Sequence, residues 1–247
     1  MREETVEALR AVNRRFYRER ASDFSRTRER PWSGWGEILA RAGALLPEHP
    51  RVLDVGCGNG RFARFLEERL GGAFDYCGVD ESPLGLAEAR KRLPSRDNVV
   101  FAEADFLEAP LPEGEFDLLV LFGVLHHVAG RENRIGLVRR LSVLLAPGGL
   151  LAFSLWRFDR YPRFRKKIVP WADFLARSGV DIDLEDLEPG DHILTWGGAP
   201  PAYRFCHAMS EEEEKELADS LSLELVSSFD AGAEPNRYYV FRYPQTA

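Results

Sequence analysis

The stretch VLDVGCGNG, residues 52–60, constrains this chain more than any other. An apolar run ends in an acid, Asp54, and gives way to Gly56, Gly58 and Gly60 at alternate positions. Glycines set this close together sacrifice backbone stiffness, and they suit a tight turn against which another group approaches the main chain. The helical pattern RFARFLEERL follows at once and is stopped by Gly71 and Gly72. Strand, glycine loop and helix N-terminus in that order make a ready site for a nucleotide-like ligand.

The rest of the chain repeats the rhythm. Short apolar runs are predicted as strands at 51–56, 74–80, 98–105, 115–125 and 150–156, with helices at 61–70, 84–93 and 131–145 between them. Two further helices are predicted upstream, at 4–20 and 35–45. Strands alternating with helices imply right-handed βαβ units and a parallel sheet covered on both faces. After Trp156 the rhythm breaks, and residues 157–207 read as an insertion rich in Pro, Gly, Trp and charge. A helix at 210–220 and the strands LELVSSFD and RYYVFRY close the chain, the last two pairing as an antiparallel edge. The expected organisation is one domain over 1–247: N-terminal cap helices (1–50), a core (51–156), an insertion or lid (157–207) and a C-terminal helix with two strands (208–247).

Composition narrows the class. With 45% hydrophobic and 30% charged residues the chain is globular, and no apolar run is long enough to span a bilayer. Three cysteines, Cys57, Cys77 and Cys206, form neither a disulfide framework nor a zinc pattern, so a reduced, cytoplasmic setting is expected. The net charge of −7 argues against generic nucleic-acid binding. Arginines nevertheless crowd residues 10–30, and Arg157, Arg160, Arg163, Arg165, Lys166 and Lys167 form a second cluster, which could steer an anionic partner or simply be solvated helix faces.

The glycine spacing is G-x-G-x-G, not the G-x-G-x-x-G of dinucleotide binding. Asp54 would repel a pyrophosphate but suits an ammonium group. Asp80, closing the second strand, holds the ribose-binding position. Asp105 is placed to accept from an adenine amino group, with Phe106 beside the ring. Ammonium, ribose and adenine without phosphate describe S-adenosylmethionine. The run VLDVGCGNG…GVD…AEADF…FDLLVLFGVLHH…LAPGGLLAFSLW resembles the core of class I S-adenosylmethionine-dependent methyltransferases. That resemblance implies a Rossmann-like α/β three-layer sandwich around a mostly parallel seven-stranded sheet with an antiparallel edge strand. It implies S-adenosylhomocysteine as product. The cofactor set also takes in Cys57, Asn59, Glu81, Phe122 and Gly123, beside the three glycines.

The flanks resemble the tRNA wobble-uridine carboxymethyl methyltransferases, a domain fused in animals to an AlkB-like oxygenase. The pattern Tyr, Ala, Phe-Ser-x-Thr-Arg-x-Lys-Pro-Trp falls on Tyr17, Ala21, Phe24, Ser25, Thr27, Arg28, Arg30, Pro31 and Trp32. GVLHHVAGRENRI, IVPWADF, YRFCHAMSEEEEKEL and PNRYYVFRY resemble that family's later segments. Arg30 stands where the family has a lysine, Arg237 and Tyr238 where an aromatic follows Asn, and the insertion is more acidic than the family's. The family's reaction is methyl esterification of a carboxylate, which is ionised at neutral pH and needs no general base. Arg28 is the first candidate to grip a carboxylate, the cofactor's or the substrate's, and His126 and Asn236 are the further catalytic candidates. Of His126 and His127, adjacent and unable to face one way, His126 is preferred for the site. Tyr17 and Trp32 either cap the cofactor or pack the entry helices. No metal site is expected, since neither an i,i+4 partner nor a nearby acid completes a set around the histidines. Family members in eukaryotes work with a small zinc-binding activator, so tRNA and such an activator are the expected partners. A small-molecule carboxylate or amine is the alternative acceptor, and an inactive cofactor-binding module that needs a partner is the second alternative.

Overall fold

A computed structural model describes residues 1–27, 29–93, 96–110, 112–197, 200–232 and 234–245, and in the first helix the side chains of 21, 22 and 24 are outside the description. The order is α1 (Glu3–Arg26), α2 (Ser33–Ala42), β1 (Arg51–Val55), α3 (Arg61–Leu70), β2 (Asp75–Asp80), α4 (Pro83–Arg92), β3 (Val99–Glu103), β4 (Phe116–Phe122), α5 (Arg131–Ser142) and β5 (Leu145–Trp156). There follow α6 (Pro162–Arg165), β6 (Ile168–Val169), α7 (Trp171–Ser178), β7 (Asp191–Trp196), β8 (Ala202–His207), α8 (Glu211–Asp219), β9 (Glu224–Asp230) and β10 (Asn236–Arg242).

The main sheet has seven strands in the order β3-β2-β1-β4-β5-β10-β9. The pairings from β3 to β5 are parallel, as the alternating rhythm predicts. β10 runs antiparallel to both β5 and β9. The predicted antiparallel pair therefore does form this edge, with the reversed strand, β10, one place in from it. The order reverses between β1 and β4, so the crevice beyond their carboxyl ends is where such a sheet takes its ligand.

Two apolar layers sandwich the sheet. Trp35, Phe62, Phe65 and Leu86 of α2, α3 and α4 cover one face. Leu137, Val138 and Leu141 of α5, with Leu217 of α8, cover the other. β4 is apolar almost throughout because both of its faces are buried. In α2, Gly34 lets the helix lie directly on β10: an added Cβ would fall 2.2 Å from the Tyr238 ring.

One expectation needs correction. The first helix runs to Arg26 instead of ending near residue 20, because its last turns are held by tertiary contact: Ser25 is buried and bonded to Asn59 of the glycine loop and to Arg92 of α4. The insertion carries a sheet of its own. β6, β7 and β8 form a second antiparallel sheet, and Ile193 and Phe205 share a buried cluster with Leu9 and Val12 of α1 and Phe174 of α7. Its apolar residues find their partner in α1, about 190 positions away, which local periodicity does not reveal. Among the described residues, no helix is long and apolar enough to cross a membrane.

Candidate functional site

A cavity of about 1060 Å³ opens at the carboxyl ends of β1, β2, β4 and β5. Its floor is the glycine loop. Gly56, Gly58 and Gly60 all have positive φ (74°, 54° and 70°), the left-handed region that favours glycine. A Cβ on Gly56 would lie 2.4 Å from Val124, whereas one on Gly58 would project into open space on the cavity side. Gly60 does not line the cavity. It caps α3 and packs against α4, its ideal Cβ only 2.9 Å from Ala89. Its place in the structure is thus a helix-packing one, beside the residues of the loop that line the cavity.

The acids of the cavity come from adjacent strand ends. Asp80 accepts 2.8 Å hydrogen bonds from the amides of Gly58 and Ser82, which lock the loop to the end of β2. Asp54 is 2% exposed and accepts 2.5 Å from the Tyr76 hydroxyl. Burial pushes its carboxyl up to about 7, against the opposing effect of the Tyr76 bond, and the Asp80 charge adds to the rise. Glu81 is also raised, by burial first and by the Asp105 carboxylate next. Arg61 lies 5.0 Å over the Trp32 ring and 5.3 Å over Trp35, and burial lowers its guanidinium to about 10. The site thus holds carboxyls and a guanidinium in a dry setting, the donor set for a zwitterionic ligand with a hydroxylated sugar. No phosphate is called for. S-adenosylmethionine fits this set: Asp54 and Arg61 would hold its amino-acid end, Asp80 its ribose, and Phe106 and Leu107 would flank its base. When bound, it supplies an electrophilic methyl group on a sulfonium sulfur.

Asp105, expected to accept from the adenine amino group, has partners within the protein. Its carboxylate is taken by Arg10 of α1 and by the Leu107 amide, and it lies outside the cavity lining. Burial pulls its carboxyl upward, but the Leu107 amide and Arg10 outweigh that and hold it below the usual range. Phe106 does line the cavity. Cys57 lines it as a buried thiol, raised far above its ordinary range by burial, which excludes a ready nucleophile. Asn59 donates 2.7 Å to Ser25 Oγ and so ties the loop to the end of α1.

On the other side, Phe122, Gly123, His126, His127, Trp156 and Asn236 line the cavity. The His127 ring is committed to structure: Nδ1 donates 2.9 Å to the Phe205 carbonyl, and Nε2 accepts 2.8 Å from the Tyr17 hydroxyl. These bonds join α1, the turn after β4 and β8. The His126 ring lies 5.0 Å from the Trp156 ring and 4.1 Å from that of His127, and both histidines line the cavity, which corrects the expectation that the two could not face one way. Asn236 stands opposite Trp156 in the β10–β5 register. Trp32 packs 5.5 Å from Trp35 and lines the cavity, which accommodates both of its expected roles. Arg28, expected to grip a carboxylate, lies outside the described residues.

Sequence reasoning missed two cavity cations, Arg61 and Arg204. Arg61 follows the glycine loop directly, a position that could have flagged it. Arg204 belongs to β8 in the insertion and reaches the cavity only through tertiary packing. Spacing also hid two sets of possible ligand groups, His126–His127–Cys206 and Glu188–His207–Glu213, each with its atoms within 4.8 Å of one another. Acids thus do gather at a histidine, His207, though not in the cavity. There Arg134, 1% exposed, already supplies positive charge, 2.6 Å from Glu188 and 3.0 Å from Glu213.

Comparison with known proteins agrees with this geometry. Residues 24–228 match the family described as "Methyltransferase domain". The tRNA (carboxymethyluridine(34)-5-O)-methyltransferase of Xenopus tropicalis is 34% identical over 146 residues, covering 58% of this chain and 21% of that protein. The trans-aconitate 2-methyltransferase of Acidovorax sp. (strain JS42) is 40% identical over 119 residues, covering 48% of this chain and 42% of that one. The match thus spans less than half the length of either relative. Among solved structures, CalS10 with S-adenosylmethionine bound, an amino pentose methyltransferase from Micromonospora echinaspora, superposes with a TM-score of 0.60 at 19% identity, covering 90% of this chain and 95% of that one. The chain belongs to the methyltransferase-domain family and is an S-adenosylmethionine-dependent methyltransferase.

Proposed function

We propose that this enzyme methyl-esterifies a carboxylate, and that the carboxylate is the carboxymethyl arm of a wobble uridine in tRNA. The observation that carries the reading is the make-up of the cavity mouth: in a protein of net charge −7, Arg10, Arg14, Arg18, Arg26 and Arg30 line the cavity from α1 and the segment after it. Basic residues gathered there favour an anionic acceptor. Several have local acid partners, Arg10 with Glu108 and Asp105, Arg14 with Glu7 and Arg26 with Asp23, so the field at the mouth is weaker than a bare count suggests. Arg163, Arg165, Lys166 and Lys167 are exposed next to Phe164, which lines the cavity. The two relatives above act, by name, on a carboxymethyluridine and on aconitate, and both acceptors carry carboxylates.

The chemistry asks little of the protein. A carboxylate oxygen forms the new C–O bond as the methyl–sulfur bond breaks with its electrons left on sulfur, and no proton is released. The residues around the cavity have only to position the acceptor and exclude water. His126 and Asn236 stand on the wall where that acceptor would lie.

The test is transfer of labelled methyl to unfractionated tRNA and, separately, to trans-aconitate. Label in RNA that mild alkali removes is the expected result. Stable label in RNA, or label in aconitate alone, overturns the tRNA reading. A small activator protein acts as partner if transfer to tRNA requires adding one. Charge reversal at Arg163 and Arg165 is expected to lower tRNA affinity and reduce its salt slope by about 1 to 2, with cofactor affinity unchanged.

A further inference from the structure

We infer that Arg204 is the residue that selects a carboxylate as methyl acceptor, an assignment that rests on the ester reading above. Arg204 is 5% exposed, lies on β8 and lines the same cavity. Its guanidinium carbon sits 4.8 Å from the Trp156 ring centre and 5.6 Å from that of Phe16. Two aromatic rings against it fix the plane of the fork, so little rotamer freedom is lost when an anion docks on its edge.

Its position separates it from the cofactor's groups. Asp80 ends β2 and Trp156 ends β5, and β1 and β4 lie between those strands. Three strand spacings put the two ends about 14 Å apart. The acids at one end suit the amino acid and ribose of the cofactor. The other end gathers Arg204, Trp156, His126 and Asn236, a cation with an aromatic wall and two hydrogen-bonding side chains. A carboxylate entering there meets a dry, pre-set guanidinium, which an amine would find repulsive.

The kinetic consequence differs from that of a group acting on the transition state. The acceptor carboxylate loses its negative charge as the ester forms, so the attraction to Arg204 is greatest before reaction. Arg204 should therefore act on acceptor binding and on discrimination, and little on the rate of transfer.

The experiment compares the wild type with R204Q. With S-adenosylhomocysteine present, calorimetry measures affinity for 5-carboxymethyluridine and for its neutral carbamoylmethyl analogue. The wild type is expected to prefer the acid at least tenfold, and R204Q to bind both within twofold of each other, with S-adenosylhomocysteine affinity unchanged. In turnover, R204Q should raise the acceptor KM at least tenfold while kcat moves less than threefold. An R204Q protein that keeps the wild-type acid preference overturns the assignment and leaves the ester reading standing. A wild type that methylates an amine and no carboxylate overturns both. Should R204Q fail to bind S-adenosylhomocysteine, R204M, which keeps the stem between the rings, carries the same comparison with the same outcomes.

Discussion

The amide of Gly58 donates a 2.8 Å hydrogen bond to Asp80, tying the loop after β1 to the end of β2. One carboxylate therefore shapes the floor of the cavity and lines the place where the ligand's sugar would lie. Replacing Asp80 by Ala leaves two amides, those of Gly58 and Ser82, without their acceptor, at about 1–3 kcal/mol each where buried. Affinity for S-adenosylhomocysteine should fall about 100-fold or more by calorimetry. An unchanged affinity would remove Asp80 from the site.

Asp54 should make stability depend on pH. Its carboxyl lies at about 7 in the folded protein, against an ordinary value near 3.8. The folded state holds the proton more tightly, so stability contributed below pH 4 is lost as pH rises towards 7. Asp54→Asn should raise the ligand-free Tm at pH 8 by about 5 °C, with the gain vanishing near pH 4. The same variant should weaken S-adenosylmethionine binding at pH 8, because the ammonium loses its counter-charge. Melting curves across pH, with and without ligand, check both effects.

His207 has the same sign of effect, in a higher pH range. It is 1% exposed, with Asp191 at 2.7 Å and Glu213 at 3.1 Å, Glu188 at 3.6 Å and Arg134 close by. Burial alone would lower its pKa, but the Asp191 and Glu213 bonds outweigh burial and raise it. The stabilisation is complete below about pH 6.5 and fades as pH rises through the folded value. His207→Gln should cost about 1–3 kcal/mol at pH 6 and progressively less above pH 8, measured by denaturant unfolding. A pH-independent loss would mean that His207 is neutral throughout.

Gly34→Ala tests the close approach of α2 to the sheet. The added methyl would lie 2.2 Å from the fully buried Tyr238 ring. A destabilisation of about 1–3 kcal/mol is expected despite the better helix propensity of alanine. A more stable variant would show that α2 docks less tightly than described.

Much of the site was legible because one local signal carries it. The glycine loop, Asp54 and Asp80 sit where strand, turn and helix meet, within thirty or so residues, so spacing alone places them on one sheet edge. The surroundings of Asp105 and Gly60 were not legible for a common reason. Local pattern put each at the edge, but Arg10, nearly a hundred positions upstream, covers the first, and Ala89 of α4 packs on the second. The elements of the insertion were not read from sequence because its strands are short and its partner helix lies at the other end of the chain.

By itself, the order of residues determined the parallel sheet, its helices on both faces and the identity of the acids at the cofactor end. Those features arise from hydrophobic period and glycine turns, which act between near neighbours. Only the tertiary structure decided that His127 braces α1 against β8, that His126 faces the cavity, and that Arg204 arrives there from a second sheet. Burial and charge pairing are set by whatever packs alongside, and those neighbours come from distant parts of the chain.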